Sequence, residues 1–194
     1  PETMQGALGW YMVQSGLVDD PRVSGTHLEL TRIGGRLRAI VIHPTNPSIM
    51  WVGSCSGGIW KTTDGGTNWT PLTDTLSIMN HGAIALDPQN PNTVYAGTGS
   101  LSTGNTGDGL FRSLDGGATW ARIATAAEIG NQIAGIAVDP SNSNTIHVAS
   151  VSGYYRSLDG GATWSRRLLG TYNSLAVHPT TPSTLYVGRS GQGV

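Results

Sequence analysis

Carboxylates are the residues of this chain best placed to do chemistry, because two of them facing each other across a glycosidic bond can act as acid and base or nucleophile. Twelve acidic residues are present, and position commits most of them. Asp64, Asp115 and Asp159 stand in three copies of one phrase: Thr62-Thr63-Asp64-Gly65-Gly66-Thr67-Asn68-Trp69, Ser113-Leu114-Asp115-Gly116-Gly117-Ala118-Thr119-Trp120 and Ser157-Leu158-Asp159-Gly160-Gly161-Ala162-Thr163-Trp164. Asp87 and Asp139 precede prolines in a second recurrent phrase, and Glu2, Asp19, Asp20 and Glu29 lie ahead of the first copy. Asp74, Asp108 and Glu128 are the catalytic candidates that remain. Three scattered acids make a thin inventory for hydrolysis.

Other chemistries find less support. His27, His43, His81, His147 and His178 lack metal-ligand spacing, and His43 and His178 alternate with Asp87 and Asp139 at one repeat position, which marks them as turn residues. No metal and no cofactor is expected. Cys55 is the single cysteine, so no internal disulfide forms, and its Ser/Gly neighbours suit a small half-buried residue at a strand end. The serines show no Gly-x-Ser-x-Gly elbow. Lys61, Arg112 and Arg156 share one register just before the repeated turn and read as a solvated or inter-blade stripe.

The elements that must position these residues follow from the repeats. His43-Pro44, Asp87-Pro88, Asp139-Pro140 and His178-Pro179 each sit between two apolar runs, and they recur at intervals of roughly 40 to 50 residues, the period of four-stranded propeller blades. Alternation predicts a first strand over 37–42, 83–86, 133–138 and 174–177, apolar on both faces as expected beside a propeller axis. Second strands follow over 49–53, 93–97, 145–149 and 184–188, third strands over 59–63, 110–114 and 154–158, and fourth strands over 68–72, 119–123 and 163–168. In the repeated turn, Asp accepts from backbone N–H groups two or three residues on, glycine supplies angles that a Cβ opposes, and Trp covers the hairpin. Asp64, Gly66, Trp69, Asp115, Gly117, Trp120, Asp159, Gly161 and Trp164 are therefore expected to be structural.

Antiparallel connectivity puts the first-to-second turns and the repeated turns at one end of each blade. The second-to-third loops and the inter-blade segments share the other. At that second end the loop 98–109 is much longer than its counterparts near Ser54 and Ser150, and long loops on a rigid scaffold are often functional. Asn105, Thr106 and Asp108 on this loop, with His81 on the inter-blade segment ahead of it, are the ligand-binding candidates. A formal net charge of −1 gives no footprint for nucleic acid, and no stretch reaches the length of a membrane span. Twenty-eight glycines and ten prolines describe a chain of tight turns rather than long helices.

The phrase Ser/Thr-x-Asp-x-Gly-x-x-Trp resembles the Asp box, or bacterial neuraminidase repeat, of sialidases, sortilin-type receptors, xyloglucan-active glycoside hydrolases and photosystem II assembly factors, which are all β-propellers. Residues 34–66 look like the opening blade of large secreted bacterial Asp-box propellers, and the resemblance extends over about 33–189. It implies an all-β propeller of four-stranded blades, at about 33–72, 82–124, 133–169 and, in part, 173–194. Residues 1–32 form an N-terminal extension in which 26–32 alternates like a closing strand. A first residue of Pro1 reads as a processed or excised product, and the preferred expectation is the N-terminal part of a six- to eight-bladed ring, against a compact four-bladed one. Open strand edges would then need further blades or another subunit for closure.

The sialidase Arg-Ile-Pro signature is present only as Arg32-Ile33-Gly34. The thin acid inventory points to a noncatalytic module that binds a protein or glycan through its loop end, and the resemblance, with a Ser/Thr/Gly-rich, Lys-poor composition, implies an extracytoplasmic setting, secreted, periplasmic or on the cell surface. A glycoside hydrolase with part of its catalytic site outside these residues is the alternative.

Overall fold

The computed structural model describes residues 36–76 and 78–191. The expected closing strand at 26–32 lies outside them. Three four-stranded antiparallel sheets follow one another: β1 (Leu37–Ile42) to β4 (Thr70–Pro71) with β2 (Met50–Ser54) and β3 (Ile59–Thr62) between; β5 (His81–Leu86), β6 (Val94–Thr98), β7 (Gly109–Ser113) and β8 (Ala121–Thr125); and β9 (Ile133–Asp139), β10 (Asn142–Ser150), β11 (Gly153–Ser157) and β12 (Ser165–Leu169). A fourth sheet pairs β13 (Tyr172–Val177) with β14 (Leu185–Arg189). Each sheet is a meander in sequence order, and β1, β5, β9 and β13 pack successively on one another, as first strands around a propeller axis do.

The core lies between sheets, because each sheet presents alternate residues to either neighbour. Trp51 and Ile59 of the first sheet meet Ile84, Val94, Ala96 and Phe111 of the second. Tyr95 and Leu110 on the opposite face of the second meet Ile136, Val138, Ile146, Val148 and Tyr155 of the third. Ala149 and Tyr154 then meet Tyr172, Leu175, Leu185 and Val187.

First strands were expected to be enclosed on both faces, but the four differ. Only β5 is buried through five of its six residues. Alternate residues of β1 are exposed, with Ile40 at 41%, and β13 exposes Asn173, Ser174 and Ala176, since only one face of each packs against a described sheet. The fourth strands are the outer edges. There β12 is exposed throughout, and β4 shrinks to two residues, one of them Pro71, which has no N–H for a ladder.

The repeated turn is the same construction three times. Ser113 Oγ donates to Asp115 Oδ1 at 2.7 Å and accepts from the N–H of Asp115 at 3.3 Å and of Gly117 at 2.7 Å. The carboxylate then accepts from the N–H of Thr119 at 2.9 Å and its hydroxyl at 2.6 Å. The carboxylate also draws on the N–H of Ala118, three residues on as expected, and reaches one residue further, to Thr119. Gly116 (φ 71°) and Gly117 (φ 101°) hold the backbone where a side chain is strained. Gly116 N–H donates to Asn92 O of its own sheet at 2.8 Å, and the equivalent bonds run from Gly65 to Ser48 and from Gly160 to Asn144.

These turns also lock neighbouring sheets. A Cβ on Gly117 would lie 2.4 Å from Leu72 of the preceding sheet, and Trp120 Nε1 donates to Leu72 O at 3.2 Å. In the next pair, Gly161 and Trp164 embrace Ile123 in the same way. The basic stripe proves to run between blades. Trp51 Nε1 and Lys61 Nζ both donate to Gly116 O, at 2.9 and 3.3 Å, with Lys61 above the Trp51 ring, and Arg112 Nη1 donates to Gly160 O at 2.9 Å.

Candidate functional site

Two surfaces are candidates, one on the loop end and one where the first strands converge. The first is the loop end. Strands β6 and β7 are joined there by the loop 98–109, which is wedged between the segment before β5 and the segment before β9. Its N–H groups tie it on both sides: Gly99 N–H donates to Asn80 O at 2.9 Å, and Gly107 N–H to Asn131 O at 2.6 Å. Within the loop, buried Thr98 Oγ1 donates to Gly109 O at 2.7 Å and accepts from the N–H of Asp108 and of Gly109, at 2.8 and 2.9 Å. Ser100 and Asn105 form an antiparallel bridge. Close backbone packing makes glycine necessary, since a Cβ on Gly99 would stand 2.1 Å from Asn131 O. The loop is therefore a packed plug rather than a loose insertion.

The sequence-predicted residues separate in this setting. Asn105 is half-buried, donates through Nδ2 to Asn80 Oδ1 at 3.4 Å, and accepts from Gln132 Nε2 at its carbonyl. Thr106 is exposed beside it. Asp108 forms an ion pair with Arg122 on β8. Glu128 lies in a one-turn helix, α1 (Ala126–Ile129), which the strand pattern did not anticipate, and its carboxylate accepts from both the N–H and hydroxyl of Thr125 at 2.7 and 2.8 Å. These two bonds hold the Glu128 carboxyl below its ordinary pKa, with Arg122 adding to the effect. Asp74 is exposed on the segment after β4. Asp108 and Glu128 thus have structural employment that the sequence did not disclose.

His81 differs from a surface ligand in being fully buried at the start of β5, opposite Thr98. Neither ring nitrogen has a hydrogen-bond partner among the described residues. Burial pushes its pKa down to about 4, so the ring is neutral.

The box carboxylates move in the same direction for another reason. The N–H of Asn68, then its side-chain amide and Thr62, hold Asp64 at about 2, and Thr163 and Ser157 do the same for Asp159. Such groups stay ionised and cannot deliver a proton near neutrality.

The second surface is an open cleft of about 320 Å³ where the first strands converge. Backbone and small side chains of β5 and β9 form its floor, and Arg38, Asn173 and Ser174 supply polar side chains. Its lining contains no carboxylate. Arg38 and Asn173 were not singled out as ligand contacts, since only the successive packing of β1, β5, β9 and β13 brings them to one opening. Among the described residues, no cluster of three or more His, Cys, Asp or Glu is arranged to hold a metal ion, and no helix is long and apolar enough to cross a membrane.

The family model of the BNR/Asp-box repeat matches residues 155–166, which run from β11 through the third turn into β12. The chain is built from Asp-box repeats. Among curated proteins, this Asp-box chain is 32% identical over 134 residues to a xyloglucanase of Hypocrea jecorina, covering 62% of the chain and 16% of that enzyme. It is also 42% identical over 71 residues to the dispase autolysis-inducing protein of Streptomyces mobaraensis, covering 36% of the chain and 16% of the relative. The chain therefore spans about a sixth of the length of either, 16% in both cases.

Two solved structures show the same fold. The GH74 xyloglucanase from Xanthomonas campestris superposes with a TM-score of 0.66 at 23% identity, over 81% of this chain and 28% of that one. YCF48 bound to D1 peptide gives 0.52 at 18% identity, over 80% and 56%. The Asp-box sheets are thus β-propeller blades.

Proposed function

We propose that these blades are part of a carbohydrate-directed propeller and present a polysaccharide-binding surface, with xyloglucan-type β-glucans as the ligand class. The observation that carries this reading is the 32% identity with a xyloglucanase over 134 residues. The geometry adds a binding rather than a cleaving character. A retaining or inverting glycosidase needs one carboxylic acid that holds a proton and one carboxylate opposite it. Here Asp108 is paired with Arg122, and Glu128 is held toward its ionised form by Thr125. Neither is poised to donate a proton. Hydrolysis, where the whole protein performs it, would draw its acid from Asp74 or from outside the described residues.

What these blades offer a glycan is a rim of fixed amides and a cationic group. Asn105 and Thr106 stand on the plug, and Arg38 and Asn173 flank the cleft beside it. Amides and guanidinium match vicinal hydroxyls, which present a donor and an acceptor side by side. Such a ligand is met outside the cytoplasm, which accords with the extracellular setting that the resemblance implies.

Affinity electrophoresis through xyloglucan-containing gel tests the proposal. Retardation of the chain, reduced by Asn105→Ala and by Arg38→Ala with unchanged melting, is expected. Retardation absent for xyloglucan and for unsubstituted β-glucans would refute it. Reducing-sugar release abolished by Asp74→Asn would move these residues into the catalytic role.

The similarity to the dispase autolysis-inducing protein supports a second reading, capture of a protein partner through the same loop end. Binding of immobilised dispase, competed by the protein but not by xyloglucan, would favour it.

A further inference from the structure

Each first strand carries a β-bulge, and all four bulges fall at one level of the blades. Between β1 and β2 the register steps from Leu37 opposite Ser54 to Ala39 opposite Gly53, so Arg38 is the extra residue. The same step isolates Gly82 on β5, Ala134 on β9 and Asn173 on β13. A bulge re-aims a side chain and leaves its residue out of the ladder. All four bulged residues line the open cleft where the first strands converge, so they form one belt along it.

The belt differs in chemistry from its middle to its flanks. The middle is kept small: a Cβ on Gly82 would collide with the carbonyl oxygens of Ile133 and Gly99, and Ala134 carries only a methyl group. The flanks are polar donors. Arg38 is exposed, and no ion pair or hydrogen bond engages its guanidinium among the described residues. Asn173, also exposed, has no acceptor there for its Nδ2, and Ser174 adds a hydroxyl beside it. Each first strand is the edge of its sheet, so the N–H groups on that side lie outside the ladders. No carboxylate lines the cleft, which leaves the guanidinium as its only charge.

A guanidinium with an amide donor across from it and no acid nearby is the arrangement that a carboxylate fills. The planar fork pairs with both carboxylate oxygens, whereas a neutral hydroxyl satisfies one N–H at a time. At about 320 Å³ the space is at the small end of ligand cavities and suits a single sugar unit. We propose that the bulge belt is a subsite for a uronic acid. Arg38 takes the carboxylate with both arms, Asn173 Nδ2 and the Ser174 hydroxyl bond the ring hydroxyls, and the small middle of the belt admits the ring. The inference rests on the carbohydrate reading above and adds that the unit held in the cleft is acidic. It draws on four successive strands alone, and blades before or after them would lengthen the belt without filling it.

Cellobiouronic acid and cellobiose, which differ only at C6 of one ring, carboxylate against hydroxymethyl, are the probes for isothermal titration of the full chain at neutral pH. The acid should bind about tenfold more tightly than cellobiose, and the preference should shrink as salt rises, since an exposed pair is screened. Arg38→Gln should abolish the preference with unchanged melting, Arg38→Lys should keep part of it, and Asn173→Ala should weaken both sugars. Equal affinity for the two probes, with xyloglucan still retarded in gels, overturns this inference and leaves the carbohydrate reading standing. A preference that survives Arg38→Gln overturns it too, by placing the carboxylate elsewhere. No saturable binding of the acid also overturns it; if xyloglucan is likewise not retarded and a peptide binds through its terminal carboxylate in an Arg38-dependent way, the carbohydrate reading falls with it.

Discussion

Acid should destabilise this protein before it titrates any box carboxylate, and His81 is the reason. The ring is fully buried and its pKa lies at about 4, against an ordinary 6.5. Above pH 6.5 the group is neutral in folded and unfolded chains and contributes no pH dependence. As pH falls below 6.5, the unfolded chain takes up a proton that the folded chain refuses, so stability falls until about pH 4, where the folded ring also protonates. Across that window the loss attributable to His81 is about 3 kcal/mol, at roughly 1.4 kcal/mol per pKa unit. That is a large share of a typical stability of about 5 to 15 kcal/mol.

The box aspartates act later. With Asp64 and Asp159 held at about 2, their stabilisation is present above their ordinary pKa of 3.8 and is lost only as pH falls from there toward 2. Urea unfolding at pH 7.5, 5.5 and 4.5, for wild type and His81→Leu, measures the effect. The leucine variant should lose most of the pH dependence, whatever its stability at pH 7.5, and the remainder belongs to His147, whose pKa burial also lowers, and near pH 4.5 to Glu128, whose pKa Thr125 lowers. An equal fall for both proteins would refute this account of His81.

Ser113→Ala removes the buried hydroxyl that accepts from Asp115 and Gly117, and chemical denaturation should show a loss of about 1 to 3 kcal/mol with the ligand-binding surface unaltered. Thr98→Val leaves the N–H groups of Asp108 and Gly109 without their acceptor, so the plug should open and its amides should exchange with solvent faster by hydrogen-exchange mass spectrometry. Gly97→Ala forces a methyl to 2.5 Å from Ile133 Cγ2, and thermal melting should reveal overpacking of about 1 to 3 kcal/mol. Asp108→Asn breaks a pair whose side chains are 39% and 43% exposed, and should change stability by no more than about 1 kcal/mol.

The blades were legible because their determinants are contiguous. Strand, proline turn, strand and Asp-Gly-Gly hairpin each depend on residues a few positions apart, so β2, β3, β6, β7 and β11 fall within a residue or so of the expected spans. The box aspartates were likewise readable as structural, although their further reach to the fourth residue ahead was not.

The candidate site was less legible. Asp108 and Glu128 looked unemployed, since the partner of the first lies on the far strand of its blade, at Arg122, and that of the second belongs to a helical turn too short to show a 3.6-residue period. His81 looked like a surface ligand because the expected first strand began at 83, whereas β5 begins two residues earlier and carries His81 into the enclosed ladder. The pairing of Arg38 with Asn173 at one cleft, and of Trp51, Lys61 and Arg112 with glycine carbonyls 48 to 65 residues away, arises only when sheets stack. Local hydrogen-bond chemistry is written in neighbouring residues, so the sequence alone determined the blade. Burial and inter-blade contact depend on how separate blades meet, and the tertiary structure alone decided which polar groups were left free to bind.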